Sequence, residues 1–494
     1  MSQRRRAATA VLTAAVLLAF AGSQVEARSG QSAGPRPLAS SPQGRLDTVL
    51  GDFNVWASPD PARVLGRIRG LGAVGLRIEL SWRSVAPAGK ERPPGFRASD
   101  PADPRYRWGR FDNKIEQLAA SGLQPIVVIL WSPLWAEGKN EGPQGTRRPD
   151  PGELAAFAKA ASARYSGSFG GLPRVRYWQI WNEPNLYSFL TPQIAGGSLV
   201  SGNWYRRMVN AAAPAIHRVH ADNVVVAGGT SPFGRRGWYW ATSPLEFTRQ
   251  MLCMKGRSSP RADCAGRTTF DVWAHHPYTA GGPSHHALLP DDVSLPDIPK
   301  LQRLLSAAWR AKHVTAKRRP PLWVTEFSWD TSPPDPKAVP QWLQARWVSE
   351  AMYRMWRSGV SLVTWFQLRD EPLARSNFQS GLFFHDGASW ALDRPKPGLT
   401  AFRFPFVALH AGRRVFVWGR TPSGTAHKVV IEQLLKGKWR RVAALRANRF
   451  GIFSERLRVS LRGSFRAQLG SGTTSLPFNY KVPPDIKLDN PFGS

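Results

Sequence analysis

The run Val175-Arg176-Tyr177-Trp178-Gln179-Ile180-Trp181-Asn182-Glu183-Pro184-Asn185 begins as an apolar, aromatic strand and breaks abruptly into a polar turn carrying a carboxylate. Similar short apolar runs recur on both sides of it, at Asp47 to Phe53, Val74 to Leu80, Gln124 to Leu130, Asn223 to Gly229, Phe270 to His275, Leu322 to Phe327 and Ser361 to Phe366. With Val175 to Trp181 they make eight. Amphipathic stretches alternate with them and carry helix start and stop signals. Ser58 or Asp60 stands ahead of Pro61, the apolar set Val64, Ile68 and Leu71 follows, and Gly72 closes the turn. Trp108 to Ser121, closed by Gly122, repeats the pattern; further helices are expected over Gly152 to Tyr165, Asn203 to His220, Pro244 to Lys255, Pro299 to Lys312, Val339 to Ser358 and Pro397 to Leu409. Eight such alternations predict an α/β fold, a closed (β/α)8 TIM barrel over residues 47–405. An open doubly wound sheet is disfavoured, because no GxGxxG turn follows the first strand.

From about Phe406 the texture changes to short alternating strands, Val415-Phe416-Val417-Trp418, Val429-Val430-Ile431 and Trp439 to Ala444, with turns at Ser423-Gly424 and Lys436-Gly437. This predicts a small C-terminal antiparallel β-sandwich over residues 406–494. Upstream, residues 28–46 are rich in Ser, Gly, Pro and Arg and read as a flexible linker. Residues 1–27 read as a signal peptide: Arg4, Arg5 and Arg6 precede an apolar run from Ala7 to Phe20, and Val25-Glu26-Ala27 offers small residues for cleavage. That run is too short to span a bilayer, so the expectation is a secreted, extracellular protein without a transmembrane segment after signal removal. Cys253 and Cys264 are the two cysteines of the 494 residues. They lie close together in a polar stretch and predict a local disulfide. No zinc-like spacing with histidines accompanies them, so no metal site and no cofactor is expected.

The formal net charge is +33. Such a surface attracts polyanions, and nucleic acid must be weighed. The basic residues are nevertheless spread from Arg63 to Arg466 without a basic helix, zinc-finger spacing or RNP-like aromatic motif. A specific nucleic-acid partner is therefore not expected, and an anionic cell-envelope polymer is the more plausible neighbour.

In a parallel barrel, functional groups sit where strands end at the C-terminal face. Two glutamates stand there: Glu183 after the fourth strand, and Glu326 in Leu322-Trp323-Val324-Thr325-Glu326-Phe327 at the end of the seventh. Cleavage of a glycosidic bond needs one protonated carboxyl to assist the leaving oxygen and one ionised carboxylate, about 5 Å apart when configuration is retained. A solvated surface charge is the competing reading of either residue. Arg77 alternates out of the second strand as a candidate partner for a carboxylate.

These motifs resemble clan A glycoside hydrolases, in which Asn-Glu-Pro ends strand four and an isolated Glu ends strand seven; the texture is nearest that of family 39 and the family 5 cellulase-like enzymes. The resemblance covers roughly Asp47 to Leu409. It implies a retaining glycosidase acting on a poly- or oligosaccharide, with Glu183 as acid/base, Glu326 as nucleophile, Asn182 contacting the sugar 2-hydroxyl and Arg77 steadying the nucleophile. It further implies that Tyr278 hydrogen-bonds the nucleophile, that His276 lines the site and that Trp365 forms the sugar platform, with Trp82 and Trp131 as weaker aromatic candidates. Strand three ends in Trp131-Ser132-Pro133 where many clan members carry a histidine, so contacts at the next hydroxyl are expected to differ. The alternative expectation is a non-catalytic barrel that binds polysaccharide or cell envelope.

Overall fold

The computed structural model describes residues 38, 44–52, 54–234, 241–374, 376, 378–387, 389–479, 486 and 488. The expected signal peptide lies outside the described residues, as does Phe53. Eight parallel strands close a barrel in sequential order. They are β1 (Asp47–Gly51), β2 (Gly75–Ser81), β3 (Gln124–Leu130), β4 (Tyr177–Ile180), β5 (Val224–Thr230), β6 (Val272–His275), β7 (Leu322–Val324) and β8 (Val360–Phe366). The outer layer is built from α1 (Pro61–Gly70), α2 (Gly109–Ala120), α3 (Pro151–Arg164), α4 (Ser201–Val219), α5 (Pro244–Met251), α6 (Ile298–Arg310), α7 (Gln341–Arg357) and α8 (Pro397–Arg403). The fold class is that of a (β/α)8 TIM barrel.

Local chemistry explains the boundaries. Asp60 caps α1 by accepting from the Arg63 amide, with Pro61 at the first helical position; Asp150 and Pro151 repeat the device at α3. The final helix was expected to run to Leu409 but stops at Arg403, because Phe406–Ala411 is pulled into a strand paired with Arg414–Arg420. Helix α5 likewise ends at Met251, short of Lys255, and the chain then forms a hairpin whose ends are tied by the Cys253–Cys264 disulfide. No helix among the described residues is long and apolar enough to cross a membrane.

Strand side chains alternate between two layers. Val49, Ile126, Tyr177, Val226, Val272, Ala274, Trp323 and Leu362 point inward and form the barrel's own small core. Leu38 joins this cluster from below, 2% exposed, with its amide donating to Tyr177 Oη at 2.7 Å. The stretch expected as linker is thus anchored where it is described: Leu38 closes the barrel floor, Leu46 is buried, and Asn448 Nδ2 donates to Gly44 O. Composition hid this because single leucines in a Ser/Pro-rich stretch carry no periodicity.

The C-terminal part forms a three-stranded antiparallel sheet, β9 (Phe406–Ala411), β10 (Arg414–Arg420) and β13 (Ile452–Leu457), and a four-stranded one, β12 (Lys438–Arg446), β11 (Lys428–Leu435), β14 (Ser464–Leu469) and β15 (Phe478–Asn479). Barrel and sheets make one compact unit. Tyr353 and Trp356 of α7 pack on Trp418 of β10, and buried Arg420 donates through Nε to Leu46 O at 2.8 Å. Gly72, at φ +76°, lies so close to this layer that a Cβ there would stand 1.7 Å from Pro422 O. Gly72→Ala must therefore both strain the backbone and push the sheet away. The expected loss is about 3 kcal/mol of stability, read as a lowered melting temperature; an unchanged melting temperature would show that this junction does not support the fold.

Candidate active site

The C-terminal ends of β2, β4, β6 and β7 converge on one mouth. Immediately after β3 and β4 the backbone turns left-handed at Trp131 (φ 62°) and Trp181 (φ 67°), and again at Glu183 (φ 37°). Non-glycine residues pay for that conformation only where surroundings hold it. Here the Glu183 amide donates to Gly229 O at 3.0 Å. Asn185, fully buried, accepts from the Ser231 amide and donates to Ser231 O and Thr242 O. The turn is thereby fastened to the next strand, and the Glu183 carboxyl faces the mouth.

Arg77, inward on β2 and 4% exposed, is the hub. Its Nη1 donates to Glu326 Oε2 at 3.1 Å, its Nη2 to Asn182 Oδ1 at 2.5 Å and its Nε to Gln179 Oε1 at 3.4 Å. Tyr278 Oη donates to the other Glu326 oxygen at 2.9 Å. On the far side, His276 Nδ1 lies 2.9 Å from Glu183 Oε1 and its Nε2 lies 3.1 Å from Thr325 Oγ1. Oxygens of Glu183 and Glu326 and a ring nitrogen of His276 all fall within 4.8 Å of one another.

The two carboxyls sit in different surroundings. Burial raises Glu183 to about 8, only partly opposed by the Arg77 charge, so it is protonated at neutral pH. Glu326 instead accepts one hydrogen bond from a guanidinium and one from a phenol. Burial holds His276 down to about 3, so its imidazole is neutral and carries one N–H. With that proton on Nδ1 it donates to Glu183 Oε1, while Nε2 accepts from the Thr325 hydroxyl. The Tyr278 hydroxyl is pushed well above its ordinary value, first by burial and then by the neighbouring carboxylates, and remains a donor.

Glu183, Glu326, Asn182, Arg77, His276 and Tyr278 are thus brought together, joined by Gln179 and Thr325, which the sequence reading had missed. Both are polar residues at inward positions next to apolar outward ones, a signal that strand alternation alone could have flagged. His275 points outward, bonded to Thr230 Oγ1 and Val293 O.

The tryptophan expectations need correction. Trp365 is 1% exposed, sits in the outer layer against Phe402 of α8, and donates through Nε1 to Ser380 O. It cannot offer a face to a sugar; Leu362, Thr364 and Phe366 occupy the inward positions of β8. Trp82 is also fully buried, stacked on Phe157 of α3 at 5.5 Å. For Trp365 this follows from parity, an odd step from the inward Leu362; Trp82 lies beyond β2, in the helical turn Trp82–Val85. Trp131 stays at the rim, half-buried between the Arg83 guanidinium and Phe189.

No family model matches this sequence, and no curated protein does. Among solved structures, the chain is similar to a family 39 glycoside hydrolase from the gut symbiont Bacteroides cellulosilyticus WH2, at TM-score 0.50 and 17% identity over 85% of this chain and 80% of that one. It also matches a GH39 enzyme from Xanthomonas axonopodis pv. citri (TM-score 0.47, 15% identity, 88% and 97% covered) and a monomeric beta-xylosidase from Caulobacter crescentus CB15 (0.48, 16%, 86% and 95%). The first likeness establishes the shared barrel fold.

The raised pKa of Glu183 has a stability signature. Below pH 4.5 both folded and unfolded chains hold the proton; above it the unfolded chain releases it while the folded state retains it until about pH 8. The wild type therefore loses stability as pH rises through that window, by up to about 5 kcal/mol, and Glu183→Gln does not. Denaturation of the pair at pH 4.5 and pH 8 should show the variant gaining on the wild type; a constant difference would mean that Glu183 titrates like a solvated carboxyl.

Proposed function

We propose that this protein is a secreted retaining glycoside hydrolase that cleaves O-glycosidic bonds of a poly- or oligosaccharide by double displacement. The observation that carries the reading is the pair of carboxyls, Glu183 and Glu326, whose oxygens approach within 4.8 Å in opposed electrostatic settings. That spacing resembles the closely set carboxyls of retaining enzymes more than the widely set pair of inverting ones, and it suits direct attack on the anomeric carbon.

In this reading Glu326, oriented by Arg77 and Tyr278, attacks the anomeric carbon while Glu183 gives its proton to the departing glycosidic oxygen. The glycosyl-enzyme ester is then hydrolysed by a water that Glu183, now ionised, deprotonates. His276 holds one Glu183 oxygen so that the other faces the leaving group. Asn182, fixed by Arg77, supports a contact to a sugar hydroxyl. The likeness to family 39 structures in fold supports a saccharide substrate, and an equatorial, β-configured bond is what the family resemblance implies. Export is supported by the Arg4 to Phe20 pattern and by the Cys253–Cys264 disulfide.

Because Glu183, His276 and Glu326 are close enough to share a divalent cation, a metal centre is a second reading. The donor set opposes it. Both Glu326 oxygens are already engaged, one by a fixed guanidinium charge, which repels a cation at the same position. Activity unaffected by EDTA is the expected result.

Three measurements test the proposal. Glu326→Gln should lower kcat on an aryl β-glycoside by on the order of 10^4-fold while leaving the melting curve intact, and a 2-fluoro glycoside should label Glu326; a fully active variant would sink the mechanism, and a folded wild type that never turns over would favour the binding-protein alternative. The kcat/KM profile should fall on its alkaline side near pH 8, where Glu183 loses the proton it must donate. A limb unchanged in position by Glu183→Gln would assign it elsewhere.

A further inference from the structure

Away from the barrel mouth, a groove of about 1090 Å³ lies on the barrel flank, between α6 and α7. Its floor is Pro321 and Leu322, where β7 begins, at the opposite end of that strand from Glu326. It lies between the first turns of α6, at Pro299, Gln302 and Arg303, and the last turns of α7, from Glu350 to Arg357, and Gln302 Nε2 donates to Ser358 O across it at 3.1 Å.

Five arginines line it: Arg303, Arg318, Arg319, Arg354 and Arg357. None of the five forms an ion pair among the described residues. Arg303, Arg318, Arg319 and Arg357 are exposed. Arg319 is held in place by Ser306 Oγ at 2.6 Å. The carboxylate on the wall, Glu350, is already bonded to Arg346 at 2.8 Å. The groove therefore gathers an excess of positive charge, five arginines against Glu350, inside a concave surface that focuses it.

We propose that this groove is a secondary binding site for an anionic polysaccharide strand, which it holds by its carboxylate or sulfate groups while the barrel mouth acts elsewhere on the polymer. Guanidinium forks suit such oxyanions, and five of them around one groove suit a strand bearing several over a single ion. The one aromatic side chain on its walls, Tyr353, packs against Phe416 and Trp418. That leaves no stacked platform of the kind single-stranded nucleic acid or a neutral glycan requires, so charge is the recognition element. The choice of a glycan as the polyanion rests on the reading of the mouth as a glycosidase; the groove's charge does not.

Full-length protein is titrated with polygalacturonate by affinity electrophoresis across a salt series, beside neutral dextran and a DNA duplex. Three proteins are compared: wild type, Arg303→Gln/Arg354→Gln/Arg357→Gln, and a control that removes equal charge from an exposed strand, Lys438→Gln/Arg440→Gln/Arg441→Gln. The expected result is salt-sensitive retardation of wild type and control by polygalacturonate, binding about tenfold or more weaker in the groove triple, no retardation by dextran, and unchanged aryl-glycoside turnover in all three. The exposed single variants Arg303→Glu and Arg357→Glu should each weaken binding and stand in should the triple fail to fold. Equal binding by the groove variants, an equal loss in the control, or tighter binding of DNA with the same loss would each overturn the proposal. Turnover is scored apart from retardation, so failure of the catalytic reading at Glu326 is distinguishable from failure of the groove.

Discussion

One buried guanidinium organises the mouth of this barrel. Arg77 reaches Glu326 from β7, Asn182 and Gln179 from β4, and no other described side chain touches all three. A charge 4% exposed is costly unless its donors are spoken for, and here all three nitrogens are. Its position is in turn fixed by register: Arg77 lies opposite Gly51 of β1 and Ile126 of β3, and Gly51 leaves room at the barrel centre where a larger residue would intrude. Removing Arg77 would do more than delete an ion pair, since it would leave an unpaired carboxylate and an unanchored Asn182 in a half-dry pocket.

Around that fixed charge, distance sorts the two glutamates. Glu326 touches Arg77 directly; Glu183 feels it only through space and meets a neutral imidazole instead. The neutrality of His276 is essential to this division, because a protonated ring at 2.9 Å would pull Glu183 toward ionisation. Burial of one side chain thus sets the proton on another, and a chain with a formal charge of +33 keeps a protonated acid at its centre.

The barrel and the two glutamates were legible because eight apolar runs alternate with capped helices and because a carboxylate just past such a run has few structural reasons to be there. What was not legible depends on partners far away in the chain. The left-handed turn at Glu183 is fastened by Gly229 and Ser231, and the state of His276 is set by surrounding bulk. Trp365 shows the opposite case: the parity that buries it was written in the strand, yet the abundance of aromatic residues near the motif drew it toward the sugar. Leu38 was missed because a lone apolar residue has no period to betray it. The flank groove, assembled from five separated segments, leaves no local pattern at all.

The way the C-terminal sheets meet the barrel has a consequence for how the molecule can be divided. Arg420 sends its guanidinium to the carbonyls of Leu46 and Gly72, at the very entrance of β1 and β2, and Trp418 completes the packing of α7. Cutting the chain after residue 405 would strip carbonyl partners from the first two staves and bare the aromatic surface of α7. The sheets therefore act as a keystone rather than an appendage, and a shortened version built around the barrel mouth alone is a poor starting point for engineering.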